Sequence, residues 1–73
     1  MEIKDIPNIK GLAAKYKQIK RKEEIALTKG SFEQGEKFEN IATGIIVAIS
    51  VLMGEKLVTG MKLKIIQELE LTS

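Results

Sequence analysis

Cysteine, histidine and tryptophan are all absent from this 73-residue chain, and its aromatic residues stop at one tyrosine and two phenylalanines. Without cysteine there are no disulfides, no thiolate nucleophile and no thiolate ligand for a metal. Without histidine the commonest general base and the commonest imidazole ligand are missing together. A Ser–Lys pair would be the remaining route to a nucleophile. Nothing in the order of residues sets a lysine beside Ser31 or Ser50, and neither is accompanied by a recognisable set of oxyanion donors. The sequence therefore predicts a protein that is not an enzyme and that carries no metal and no cofactor.

The six glycines follow neither the P-loop nor the dinucleotide-binding spacing, so they read as turn punctuation rather than a phosphate cradle. Glu36, Glu39 and Asn40 would share a helix face suited to a hard cation, but with no further ligands nearby they read as solvated groups. The uncharged apolar segment of residues 41–54 falls short of the roughly 20 apolar residues that a membrane-spanning helix needs. The opening Met1-Glu2-Ile3-Lys4-Asp5 mixes charges and does not lead into an apolar run of the kind that forms a secretory signal. A cytoplasmic protein with no transmembrane segment is the expectation.

Charge is present in quantity but unevenly placed. The formal net charge is +2. Residues 1–22 hold seven basic residues against Glu2 and Asp5, whereas the remainder holds five lysines against eight glutamates. Such asymmetry fits either a basic arm for an anionic partner or two surfaces that attract one another between copies.

The chain is long enough for one small domain, and a chain of this size buries only about 60% of the surface it exposes when unfolded. Three segments divide it. Residues 5–29 predict a basic amphipathic helix, opened by Asp5 and Pro7 and stopped at Gly30. Ile9, Leu12, Ala13, Tyr16, Ile19, Ala26 and Leu27 form an apolar stripe about 100° wide, with Lys10, Lys17 and Arg21 opposite. Glu23 interrupts the stripe and needs a partner if it is buried. Residues 30–44 form the acidic part of the chain and read as a loop or a short helix, with Ser31-Phe32-Glu33-Gln34 resembling a capping box that Gly35 weakens.

Residues 45–66 predict an apolar hairpin. Seven of the 13 residues 41–53 are Ile, Val or Thr, whose branched β-carbons suit a pleated strand. Gly35-Glu36-Lys37-Phe38 is echoed by Gly54-Glu55-Lys56-Leu57, and each later Thr-Gly is followed by a period-two alternation. Turning at Gly54-Glu55-Lys56 would place Ile45, Val47, Ile49, Val51, Met61, Leu63 and Ile65 on one face. A helix from Thr59 would set Lys62 and Lys64 at the positive end of its dipole and Glu68 and Glu70 at the negative end, and both placements are unfavourable. The predicted fold class is thus α+β, an N-terminal helix packed on an antiparallel β-hairpin and completed by oligomerisation. The alternative is all-α, a helical hairpin or three-helix bundle.

A homo-oligomeric interaction module follows, a regulator or inhibitor that works by binding a partner, with those seven apolar residues as the interface between copies. The alternative is a nucleic-acid-binding accessory protein that sets Lys10, Lys17, Lys20 and Arg21 against phosphates. A helix lying on anionic lipid is a third reading, weakened by the lack of tryptophan.

Overall fold

In the computed structural model, which describes residues 2–72, a single 3₁₀ turn (Ile3–Asp5) leads into three helices: α1 (Ile9–Thr28), α2 (Phe32–Met53) and α3 (Thr59–Leu71). Among the described residues there is no strand. The expected α+β hairpin is therefore absent, and the all-α alternative describes the chain.

The α1 helix follows its apolar stripe except at Leu27, which is 43% exposed. Ile9, Ala13, Tyr16, Ile19 and Ala26 are buried, joined by Ile3 and Ile6 from the segment before it. The helix starts later than Asp5 and Pro7 imply, because these residues form the 3₁₀ turn and the bend after it. Asn8 stands at the helix entry with φ 60°, a left-handed conformation that asparagine tolerates better than most residues. Gly30 ends the helix with φ 80°, and the Ser31 N–H reaches back to the Ala26 carbonyl at 2.8 Å in the pattern of a Schellman turn. Ser31 then opens α2, but its hydroxyl makes no capping hydrogen bond.

The acidic segment 30–44, expected as a loop or short helix, is helical from Phe32 onward and continues without a break into the apolar residues as one 22-residue helix. The period-two alternation of Ile45, Val47, Ile49 and Val51 splits here into two pairs spaced four apart. Ile45 and Ile49 face inward, while Val47 and Val51 face out. Branched residues cost a helix at most about 0.7 kcal/mol each, whereas burying an isoleucine recovers about 1.5–3 kcal/mol. Packing of Ala42, Ile46 and Ile49 against α1 decides the conformation. Gly54, read from sequence as part of a hairpin loop, is the helix terminator, with φ 71° and the Glu55 N–H bonded to the Ser50 carbonyl at 3.0 Å.

The α3 helix forms despite its reversed charges because Ile65 and Leu69, one turn apart, are fully buried against the other two helices. Its acidic C-terminal end is offset from another element, since the Lys17 ammonium on α1 donates to the Thr72 carbonyl. α1 and α2 make the main pairing and α3 lies against both. The result is a slab of 39 × 25 × 15 Å. Its radius of gyration is 12.6 Å, larger than the roughly 11 Å that a chain of this length reaches when compact.

Ile49 and Val51 would share a face in a hairpin but lie on opposite sides of α2. Ile49→Ala is expected to cost about 2–5 kcal/mol, a large part of the stability of so small a domain. Val51→Ala is expected to cost below about 1 kcal/mol in dilute solution. Urea titration followed by far-ultraviolet circular dichroism checks this; equal losses at the two positions would contradict the helix.

Candidate interaction surface

The seven residues expected to form one apolar face do not do so. Ile49 and Ile65 are fully buried, Ile45 and Met61 are half-buried, and Val47, Val51 and Leu63 are exposed on two different helices. The core takes the first two and leaves the last three in solvent.

What the fold brings together instead is the outer side of α2. At 100° per residue, Ile41, Gly44, Ala48 and Val51 fall within an arc of about 80°, on the side away from Ala42, Ile46 and Ile49. Val47 and Leu52 flank the arc. Val51 is 70% exposed, Leu52 52%, Ile41 46% and Val47 42%. A Cβ added at Gly44 would meet nothing within 4 Å. Residues 40–54 contain no charge, so the face runs uninterrupted for about three turns. A helix that is apolar all round ordinarily lies inside a protein, and here one side of it is bare. Ile41, Gly44, Ala48 and Leu52 were not singled out from sequence as surface residues. The 4-3-4-3-4 spacing of residues 37, 41, 44, 48, 51 and 55 is the signal that marks them.

The four cations expected to meet an anionic partner are also divided. Lys10 and Arg21 are exposed. Lys17 is half-buried and held by the Thr72 carbonyl. Lys20 pairs with Glu23 at 2.5 Å, which supplies the partner that this carboxylate needs inside the apolar stripe. Beside these residues runs an open groove of 660 Å³ whose lining includes Lys17, Lys20 and Arg21 together with Glu23, Glu24 and Glu70. Three carboxylates among three cations leave it balanced in charge, a poor match to a run of phosphates. Among the described residues no three carboxylates converge as a metal site would require, and no helix is long and apolar enough to cross a membrane.

Tyr16 reaches this groove from below and is only 3% exposed. Burial raises its pKa above the usual 10.0; the Lys20 cation acts the other way, and Glu70 and Glu23 add to the rise. The Lys20 pKa is raised as well, foremost by its hydrogen bond to Glu23.

No family model, no curated protein and no solved structure matches the chain. Its function is accordingly argued from its own residues.

Both raised groups hold their protons to higher pH in the folded state than in the unfolded one. The stability they contribute is complete below the ordinary values of 10.0 for Tyr16 and 10.5 for Lys20, and it is lost as pH rises through the folded-state values. Tyr16 is the only tyrosine, so phenolate absorbance reports it alone. Its midpoint is expected above 10.0 in the native protein and near the ordinary value in urea. A native midpoint at the ordinary value would show a solvated phenol.

Proposed function

We propose that this protein is a small non-enzymatic interaction module that works as a homo-oligomer, acting as a regulator or inhibitor through what it binds rather than through chemistry. The observation that carries this reading is the uncharged outer face of α2. Contiguous exposed apolar surface of this kind marks interaction sites more often than it marks ordinary monomer surface.

The size of the molecule supports the same reading. Its accessible surface is 5177 Å², against about 4,500 Å² expected for a compact monomer of this mass. The excess, roughly 700 Å², is that of a thin slab whose elements cover one another incompletely. With neither disulfides nor a metal to reinforce so thin a slab, association is the remaining source of stability. The basic stripe of α1 supports the nucleic-acid alternative less well, because Lys17 and Lys20 are already engaged within the chain.

Sedimentation equilibrium over a micromolar concentration series tests the proposal. Self-association is expected for the native chain. Val51→Glu, which changes a 70% exposed position, is expected to weaken it at least tenfold while leaving the helical circular dichroism intact. A folded monomer at every concentration would contradict the proposal.

A further inference from the structure

The outer face of α2 carries a pattern of side-chain size that reads the same from either end, with opposite charges at its two ends. Along the seam opposite the core lie Lys37, Ile41, Gly44, Ala48 and Val51, with Glu55 just past the helix end. Spacings that alternate between four and three residues keep a seam in line with a facing helix, as in a coiled coil. The order is a cation, a large apolar residue, two small residues, a large apolar residue and an anion. All of these positions are exposed. None is used by the core.

We infer that two copies of this chain pair through the outer face of α2 in antiparallel fashion, about a two-fold axis midway between Gly44 and Ala48, an inference that rests on the self-association proposed above. In that register Gly44 of each copy meets Ala48 of the other, and Ile41 meets the partner's Val51. The small residues at the centre let the two backbones approach, and the larger side chains close over them on both sides. Lys37 then lies against the partner's Glu55. A parallel pairing would set Lys37 against Lys37 and Glu55 against Glu55. Charge therefore chooses the antiparallel direction.

The interface is isologous, with the same patch used twice, so it closes at two copies and leaves no open edge for further growth. Exposed ion pairs add little affinity, and like-charge contacts serve mainly to reject the wrong arrangement. Affinity must come from the apolar turns, which cover somewhat less than a standard interface. A dimer that forms and separates in the micromolar range is the consequence.

The chain has no cysteine of its own, so introduced thiols report the register without background. Gly44→Cys and Ala48→Cys are prepared as separate proteins, each at an open position, then mixed and oxidised mildly. The mixed 44–48 disulfide dimer is expected to dominate over the 44–44 and 48–48 species. In parallel, Lys37→Glu is expected to weaken association roughly tenfold, with Glu55→Lys in the same chain restoring it. Predominant 44–44 and 48–48 bonds, or no rescue by the second charge change, would overturn the antiparallel register and leave self-association standing. Absence of any dimer in sedimentation of the unmodified chain would overturn both. Circular dichroism of each variant separates a lost interface from a lost fold.

Discussion

One constraint organises this molecule: α2 is uncharged around its whole circumference from residue 41 to 53, with only Thr43 and Ser50 polar, and two neighbouring helices can cover only one side of it. Ala42, Ile46 and Ile49 fill the inner side and hold α1 and α3 in place. The outer side is left uncovered by the described elements. A fourth helix would bury it, and the chain has none among its described residues. The proposed self-association would bury that side against a second copy, which the size symmetry of its residues suits.

The charged residues are arranged around this constraint. On α1 they mark the solvent side, and the exception, Glu23, is neutralised one turn away by Lys20. Lys17 is spent on the end of α3, where the glutamates Glu68 and Glu70 would otherwise stand unrelieved beside the negative end of the helix dipole. The positive surplus of residues 1–22 is in this way partly structural. It links α1 to a helix whose own charge order is unfavourable.

Legibility from sequence followed the same division. The α1 stripe and its stop at Gly30 could be read directly, since charged residues on the far side fix the phase of the helix. The second half of α2 has no charge to fix a phase, and its branched residues satisfy a strand template and a helix template alike. An alternation such as Ile45, Val47, Ile49, Val51 is ambiguous on its own, because residues two apart in a helix lie on nearly opposite sides. The charges of α3 pointed away from a helix, and the burial of Ile65 and Leu69 outweighed them. The candidate face was hidden by the same ambiguity: as a hairpin, Ile49 and Ile65 belong to the surface that pairs, whereas as helices they are the centre of the core. The expectation of a partner came from size and composition alone, while the face now proposed to meet it required the fold.

The central claim is that the outer face of α2 is buried between two chains in solution. Isotope-filtered nuclear Overhauser spectroscopy on a mixture of labelled and unlabelled protein measures this directly, since it detects only contacts between copies. Cross-peaks between the methyl groups of Ile41 and Val51 are predicted, with none from Ile49 or Ile65. Absence of intermolecular cross-peaks at concentrations where the native chain sediments as a dimer, or their appearance at Leu63 in place of α2, would contradict the account.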